Sequence, residues 1–421
     1  MKEQFARLQA CRRHFHRFPE VAWQEYQTTI EIIEHLLDLG YQVEYGQAIH
    51  QEKMRMGVPH PSKPDRLLDL ETPVDTQEIF AGYTGAVAKL ATGRPGPRIG
   101  FRFDIDGLPV QESKDPQHRP NREGFASQRP GFMHACGHDS HIAVGLALAA
   151  WLQEQADQLV GDFILIFQPA EEGVKGGKSI SATGLVDDCD YFFSGHIGMG
   201  LPGGVVGVAS QGFLATSKLD IDFFGQGAHA GLAPEEGHNA NLALASAVLG
   251  LHTLPQHSAG SSRINVGRIQ GGSGRNVVAD HSQLQLETRG SSNEINAYLE
   301  ERVQAVVQGA ALQFACDYQI HKVGEAPALA KYQGDFYRQV NDLLQEAHFQ
   351  TLLEPDFGAS EDVSFYMNRV SECGGLACHF TFGSDLTAGH HQSNFDIQEE
   401  TMLTSLQVYQ LLVQAIQTGR I

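Results

Sequence analysis

HACGHDSHIAVGLALAAWL, residues 134–152, sets a thiol, three imidazoles and a carboxylate directly before an apolar run. The apolar part, His141–Leu152, carries hydrophobic side chains nearly all round, which predicts a helix buried on most of its sides. In the polar part, the two-residue spacing of Cys136 and His138 points both side chains the same way in an extended or turn segment. Soft and borderline ligands gathered in this way suit a divalent transition metal.

Short apolar runs alternate with helical patterns around this stretch. Four of them are predicted to be buried strands: Gly85–Leu90, Arg98–Phe103, Phe163–Phe167 and Tyr191–Phe193. Strands that alternate with helices in this way predict an α/β fold with a mixed, largely parallel sheet flanked by helices. Residues from about 50 to 80 lack a clean period, and we expect them to form an insertion with one short helix.

Polar side chains follow three of the predicted strands. Asp104 and Asp106 come after the second strand, Glu171 and Glu172 after the third, and His196 after the fourth. Because ligands of parallel sheets gather outside the carboxyl ends of the strands, we expect these side chains to lie at one edge of the sheet. When two adjacent carboxylates face a metal, one is able to ligate it while the other takes a proton from bound water.

The pattern changes after about Gln211. The elements predicted from residue 218 to residue 322 follow the order β-α-β-β-α-β, which is typical of a small α+β sandwich. We therefore expect an inserted domain at 212–325, within a catalytic domain formed by 1–211 and 326–421. The glycine-rich loop Gly271–Asn276 lacks the Lys-Ser/Thr of a phosphate-binding loop and the G-x-G-x-x-G fingerprint, which argues against nucleotide binding.

The composition limits the kinds of partner that the protein binds. The chain has 421 residues, a formal net charge of -20 and six cysteines. This charge disfavours nucleic acids and anionic membranes as partners. The cysteines have neither a zinc-ribbon nor a disulfide spacing, and no stretch is apolar enough for a signal peptide or a membrane span. We therefore expect a cytoplasmic protein with reduced thiols.

Each of these candidate ligand motifs, considered alone, also has a common structural explanation. A Cys-x-His pair is more often a buried cysteine beside a surface histidine, and a glutamate pair such as Glu171-Glu172 is usually a solvated helix start. His196 at a strand end is more often structural, and the pair His390-His391 is compatible with a plain loop. Only their combination favours a metal-dependent hydrolase.

Taken together, the motifs resemble a family of co-catalytic metallopeptidases that includes aminoacylases and glutamate carboxypeptidases. The resemblance is strongest to its amidohydrolase branch, with the hippurate and auxin-conjugate hydrolases, and within it to the group that acts on aminobenzoyl-glutamate. It runs the whole length of the chain and is carried by Arg12–His16, Arg55–Gly57, His118–Pro120, Gly124–Ser127, His134–His141, Phe167–Gly173, Ser273–Val278, Ser360–Asp362 and Gly389–His391.

The resemblance implies an aminopeptidase-like catalytic domain that holds two divalent metal ions, Mn or Zn, and an inserted lid and dimerisation domain. Glu171 is implied to be the general base. His229, on the inserted domain, is implied to reach the scissile carbonyl, typically in the active site of a partner subunit. Asn276 and Arg289 are implied to hold the carboxylate of the substrate.

The resemblance also implies a set of metal ligands. His391 is preferred to His390 because it stands four residues before Phe395, as in the family pattern. Cys136 is implied to bridge the two metals. The whole implied set is Cys136, His138, Glu172, His196 and His391.

The implied activity is hydrolysis of the amide bond of an N-aroyl or N-acyl amino acid. The first candidate substrate is p-aminobenzoyl-glutamate, a folate catabolite, cleaved to p-aminobenzoate and glutamate. The alternatives are a general N-acyl-amino-acid or hippurate-type amidohydrolase and a subunit that is active only in a hetero-oligomer. The implied assembly is a homodimer, or a heterodimer with a homologous B-type subunit.

Overall fold

The computed structural model describes residues 2–59 and 72–421, which form two compact units. Unit 1 comprises Met1–Gln211, Leu329–Phe357 and Asp362–Ile421, and unit 2 comprises Gly212–Ala328 and Gly358–Glu361. Part of the insertion predicted for residues 50–80, residues 60–71, lies outside the described residues. On either side of that part, short helical segments cover Glu52–Met54 and Gln77–Phe80.

Helices and strands alternate along much of the described chain. The α-helices are α1 Lys2–Arg17, α2 Tyr26–Asp38, α3 Gln77–Phe80, α4 Arg119–Arg122, α5 His138–Glu154, α6 Gly177–Ser181, α7 Ala240–His252, α8 Asn293–Gln313, α9 Gly334–Glu346, α10 Ser364–Glu372 and α11 Glu400–Gln417. The strands are β1 Gln42–Tyr45, β2 Ala86–Ala91, β3 Arg98–Asp104, β4 Asp162–Gln168, β5 Tyr191–Ile197, β6 Val205–Val208, β7 Ala215–Phe224, β8 Ser262–Gly271, β9 His281–Gly290, β10 Asp317–Ala326, β11 Gln350–Leu353 and β12 Leu376–Phe382.

Unit 1 is built around an eight-stranded sheet in the order β1-β2-β4-β3-β5-β12-β6-β11. The central strands β4, β3, β5 and β12 run parallel, while β2 and β6 pair with this block in antiparallel register. Every residue of β4 after Asp162 is buried, as expected for a strand that is covered on both faces of the sheet. The predicted α/β fold with a mixed, largely parallel sheet is therefore confirmed.

Helix α5 packs closely on this sheet, as its apolar sequence predicts. A β-carbon at Gly145 would lie 2.7 Å from the ring of Phe103, so only glycine allows this approach of the helix to β3. The first residue of α5, His138, donates a hydrogen bond from its side chain to the backbone oxygen of Asp106, just beyond the end of β3. The packing of one buried helix thus brings the histidine to the carboxyl ends of the parallel strands.

Unit 2 has an antiparallel sheet in the order β10-β7-β9-β8, with the element order β-α-β-β-α-β expected from the sequence. The residues of β9 alternate strictly between buried and half-buried after His281. The buried set, including Leu284 and Leu286, forms an apolar core with helices α7 and α8. The half-buried set faces away from the helices because side chains alternate between the two faces of a strand.

One predicted strand boundary was wrong. We expected His196 to follow a strand that ended at Phe193, but β5 continues to Ile197 and includes this histidine. The polar residues Ser194 and Gly195 made the strand appear to end early in the sequence. They remain in the strand because β12 pairs with it as far as Ile197. In the described part of the chain, none of the helices combines the length and apolar character that crossing a bilayer requires.

Candidate active site

The first turn of α5 presents His138 to the edge of the sheet in unit 1. Gly137, immediately before the helix, has a φ of +93°, a left-handed conformation that glycine adopts without steric cost. Nδ1 of His138 donates to the backbone oxygen of Asp106 at 2.9 Å, which leaves Nε2 as the ring nitrogen that could bind a metal in place of a proton. Nε2 is buried and has no hydrogen-bond partner within residues 2–59 and 72–421. An imidazole nitrogen in this state is oriented to bind a metal.

Cys136 belongs to two groups of potential ligand atoms. One group is Cys136, His138 and His196, and the other is Cys136, Glu172 and His391. Within each group the ligand atoms lie within 4.8 Å of one another. Sγ of Cys136 is 3.5 Å from Nε2 of His196. The structure thus brings all five predicted ligands together, with one thiol common to both groups.

The backbone oxygen of Ile197 orients two histidines. Nδ1 of His196 donates to this oxygen at 2.9 Å, so Nε2 of the same ring faces Cys136 with its lone pair. Nε2 of His390 donates to the same oxygen at 3.1 Å. His390 therefore uses a ring nitrogen for a backbone contact and does not belong to either group of potential ligands.

His391, unlike His390, lies beside another potential metal ligand. Its Nε2 lies 3.4 Å from Oε1 of Glu172. Its φ is +65°, which is unusual for a residue with a side chain, and its backbone N–H donates to the oxygen of Ala135 at 2.8 Å. A strained backbone that surrounding contacts hold in place is typical of functional sites.

Glu171 and Glu172 lie in a tight turn after β4. Ala170, immediately before them, has a φ of +55°. The backbone N–H groups of Glu171 and Glu172 donate to the two carboxylate oxygens of Asp106 at 3.1 and 2.9 Å. Oε2 of Glu171 is 3.9 Å from Nε2 of His138. Asp106 therefore fixes the turn and the histidine together, which holds the carboxylate of Glu171 beside the ligand groups.

The electrostatic field of this site favours positive charge. Burial alone lowers the pKa of His138, but the carboxylates of Asp104 and Asp106 outweigh it and raise the pKa to about 10. Burial raises the pKa of Glu172, yet the hydrogen bond from His391 and the charge of His138 lower it below its usual value. A site that draws a proton onto a buried imidazole also attracts metal cations, which compete with that proton for Nε2.

The other two histidines of the 134–141 stretch are also buried, but their hydrogen bonding differs. Nδ1 of His141 donates to Asp104, while its Nε2 accepts the backbone N–H of Ile197 at 3.1 Å, so the ring is neutral. His134 is buried, and neither of its ring nitrogens has a hydrogen-bond partner in the described part of the chain. Burial lowers the pKa of His134 to about 3.

A buried ionic network joins α1 to the segments that carry the ligands. The guanidinium of Arg12, which is 0% exposed, donates to Asp139 and Asp396 at 2.8 Å each and to Glu399 at 3.3 Å. Asp139 follows the proposed ligand His138 directly, and Asp396 lies in the segment after His391. The network therefore supports two of the chain segments from which the site is built.

The remaining predicted site residues lie in unit 2. Nδ1 of His229 accepts the backbone N–H groups of Gly231 and Leu232 at 3.2 and 3.1 Å, so the proton of the neutral ring is on Nε2. The backbone oxygen of Asn276 accepts the N–H of Ala230 at 3.0 Å. His229 and Asn276 therefore lie on adjoining loops, and the exposed ring of His229 carries a hydrogen-bond donor at Nε2.

Arg289 is far from these two loops within the same unit. It lies eight residues along β9 from His281, a distance of roughly 27 Å for an antiparallel strand. Asn276 lies in the β8–β9 connection, beyond the His281 end of the strand. One small substrate therefore does not contact His229, Asn276 and Arg289 of the same chain.

Three supporting side chains were given no partner from the sequence. Asp104 and Asp106 were expected at the sheet edge, but only the structure identifies the imidazole and backbone groups that they bind. Arg102, buried in β3, donates to Asp104 at 2.7 Å and to Asp362 at 2.9 Å. An arginine that points into a sheet core gives no local signal in the sequence, because its partner Asp362 is 260 residues away.

Comparison with known proteins identifies the family. Residues 100–415 match the model of peptidase family M20/M25/M40. The chain belongs to this peptidase family. The M20 assignment covers the segments with the two ligand groups and Glu171, and it establishes the protein as a metal-dependent amidohydrolase.

Relatives of this M20 protein match it over nearly its whole length. One of the p-aminobenzoyl-glutamate hydrolase subunits of Escherichia coli is 42% identical, with 95% of this chain and 94% of the relative covered. The indole-3-acetyl-aspartic acid hydrolase of Enterobacter agglomerans is also 42% identical, with 95% and 93% covered. The crystal structure of the aminobenzoyl-glutamate utilization protein of Klebsiella pneumoniae superposes with a TM-score of 0.79 at 35% identity, covering 98% of this chain and 96% of that chain. The resemblance stated from the sequence is confirmed.

Proposed function

We propose that this protein hydrolyses the amide bond between an aromatic acyl group and a dicarboxylic amino acid, with p-aminobenzoyl-glutamate as the first candidate. The observation that supports it best is the pair of ligand groups that share Cys136 beside the carboxylate of Glu171. A carboxylate next to two adjoining metal positions is well suited to hydrolysis of an unactivated amide, because the metals activate water and the carboxylate accepts its proton.

The donor set fits two divalent metals. Cys136, His138, Glu172, His196 and His391 offer thiolate, imidazole and carboxylate ligands, and the buried Nε2 of His138 is an orphaned polar atom that a metal would satisfy. We propose Zn or Mn, with Cys136 as the shared ligand. Such metals supply a water of lowered pKa and polarise the substrate carbonyl when bound.

The proposed proton transfers use the residues of the chain itself. The carboxylate of Glu171 accepts the proton of the attacking water and delivers it to the amide nitrogen that leaves as an amine. His229 has its proton on Nε2 and donates a hydrogen bond to the carbonyl oxygen as negative charge develops there. The guanidinium of Arg289 suits a substrate carboxylate because it binds two oxygens at once, and Asn276 adds an amide donor.

The substrate class rests on what the relatives share. The two named substrates, p-aminobenzoyl-glutamate and indole-3-acetyl-aspartic acid, each join an aromatic acyl group to an amino acid with two carboxylates. Both relatives are equally similar to this chain, so the dicarboxylic amino acid is better supported than either acyl group. A general N-acyl-amino-acid or hippurate-type amidohydrolase is the alternative.

We propose that two copies of the chain form each complete site. Strand β8 is at the edge of the sheet in unit 2, and nearby apolar side chains are exposed, with Leu249 71% and Ile269 59% accessible. Two-fold pairing of two β8 strands is antiparallel, so it sets the start of one strand beside the end of the other. This pairing would bring His229 of the partner subunit towards Arg289. It would therefore let both side chains contact one substrate, although they lie far apart within one chain.

A substrate panel with metal analysis tests the function. We expect about two equivalents of bound Zn or Mn per chain, and a kcat/KM for p-aminobenzoyl-glutamate or indole-3-acetyl-aspartate at least about tenfold above that for hippurate. Equal or faster hydrolysis of hippurate would favour the general amidohydrolase. Activity that appears only after addition of a homologous B-type subunit would favour the hetero-oligomer.

Mixing two inactive variants tests whether His229 acts across subunits. We expect co-expressed E171Q and H229A chains to recover about a quarter of wild-type activity, because half of the dimers are mixed and one of their two sites is intact. E171Q co-expressed with E172Q serves as the control, since both lesions affect the same ligand cluster. If His229 acts within its own chain, the E171Q and H229A mixture stays as inactive as the control.

A further inference from the structure

We propose that Arg263, which stands directly opposite Arg289 across strands β8 and β9, binds the second carboxylate of the dicarboxylic amino acid. This inference rests on the proposed function, in which Arg289 holds the first carboxylate. Arg263 is then a specificity-determining residue that separates glutamate and aspartate conjugates from those of neutral amino acids.

The strand register places the two arginines side by side. Arg263 pairs with Arg289, and Asn265 pairs with Glu287, in the antiparallel ladder of β8 and β9. Residues directly opposite in such a ladder point to the same face, with β-carbons about 5 Å apart. Arg289 and Glu287 belong to the half-buried set of β9, so this is the face turned away from α7 and α8.

Close to the arginine pair, positive side chains outnumber carboxylates. Arg289 donates to Glu287 at 2.9 and 3.2 Å, and Lys218 binds the same carboxylate. Arg263 is exposed and has no carboxylate within 4.0 Å in the described ranges 2–59 and 72–421. Like charges directly opposite each other destabilise a strand pair. An anion bound between the two guanidiniums removes this repulsion. Anion binding therefore explains why two arginines stand opposite each other in a chain of net charge -20.

The arginine pair adjoins space for a small molecule. A cavity of about 520 Å³ at the β8 edge of the sheet is lined by Arg263, Asn265, Glu287 and Arg289, and around that edge by residues of α7, of α8 and of the segment after α7. Its volume is in the range typical of small-molecule sites. Two guanidiniums in adjacent strands suit two carboxylates separated by two or three carbon atoms, as in aspartate and glutamate, because each guanidinium is able to bind a carboxylate through two parallel hydrogen bonds.

The test compares a glutamate conjugate with its neutral isostere. For R263Q we expect KM for p-aminobenzoyl-glutamate to rise about 10- to 100-fold, with kcat changed less than about threefold, because a charge-assisted contact of substrate binding is lost. KM for p-aminobenzoyl-glutamine should stay within about twofold of the wild-type value. R263K should recover part of the preference for glutamate, since it restores the charge without the bidentate geometry.

R302Q is the matched control, because Arg302 lies on helix α8 of the same unit, away from strands β8 and β9, and contacts Glu301 at 3.1 Å. It should leave both KM values within about twofold of wild type. If R263Q keeps the wild-type preference for glutamate, or loses activity on both substrates equally, the role of Arg263 is overturned while the proposed function stands. If the wild-type protein hydrolyses neither p-aminobenzoyl-glutamate nor indole-3-acetyl-aspartate, the proposed function fails and the inference falls with it. Should only the aspartate conjugate be hydrolysed, the same comparison is made with its asparagine analogue.

Discussion

Replacing Glu171 by glutamine is expected to lower kcat by about 10²- to 10⁴-fold, the range that a positioned general base contributes. Glutamine keeps the size of the side chain, and the contacts of the turn to Asp106 use backbone N–H groups, so the fold should be unchanged. The amide is unable to accept the proton of the attacking water. Turnover of p-aminobenzoyl-glutamate and bound metal are measured on the same preparation, and the metal content should equal that of the wild type.

E172Q is the control that separates the base from a ligand. Glu172 belongs to the group with Cys136 and His391, so the amide at this position should reduce the metal content as well as turnover. The two adjacent substitutions therefore give different metal contents if the roles are correct. An E171Q protein that stays active, or that loses metal as E172Q does, would contradict the role of Glu171 as the base.

Replacing Arg12 by methionine is expected to lower the free energy of unfolding of unit 1 by about 3–5 kcal/mol, the cost of breaking a buried ion pair by removing one partner. The substitution leaves Asp139, Asp396 and Glu399 in the interior with less compensation. Arg13 and Arg119 still contact Glu399, and Arg119 also contacts Asp396, so Asp139 loses the most. His16 at 2.7 Å and the backbone N–H of Ser140 at 2.9 Å remain as partners of Asp139, but they do not replace the buried guanidinium.

Tryptophan fluorescence during urea unfolding measures this effect in unit 1 alone. The chain has two tryptophans, Trp23 and Trp151, and both are in unit 1. The matched control is R7M, on the same helix, because the pair of Arg7 with Glu3 is exposed and such pairs contribute about 0–1 kcal/mol. Chelation of metals before the measurement removes their contribution to stability. Equal unfolding midpoints for R12M and R7M would show that the buried network does not stabilise the unit.

The predictions from the sequence succeeded where the signal is local. The apolar run after His141 and the short buried strands follow from the periodicity of side chains over a few residues, and the order of elements follows from their succession. The strand-end rule also placed Asp104, Asp106 and Glu171 at one edge, because parallel strands end at the same side of a sheet. The end of β5 was misjudged because Ser194 and Gly195 are polar or small, although pairing with β12 keeps them in the strand.

Contacts between residues far apart in the sequence could not be predicted from these local patterns. Arg102 and Asp362 are 260 residues apart, and Arg12 and Asp396 are 384 residues apart, so no window of sequence contains both partners. The pairing of Arg263 with Arg289 is a matter of strand register, which depends on the whole hairpin between them. Such contacts form only when separate elements pack together.

The sequence by itself determined the class of fold, the kinds of ligand and the chemistry that they favour, because these depend on residue types and short spacings. Only the tertiary structure decided which atoms meet. It directed His390 to the oxygen of Ile197 and left His391 beside Glu172, and it separated His229 from Arg289 along one sheet. The physical reason is that orientation and distance are set by packing and hydrogen bonding among remote segments, which residue spacing alone does not encode.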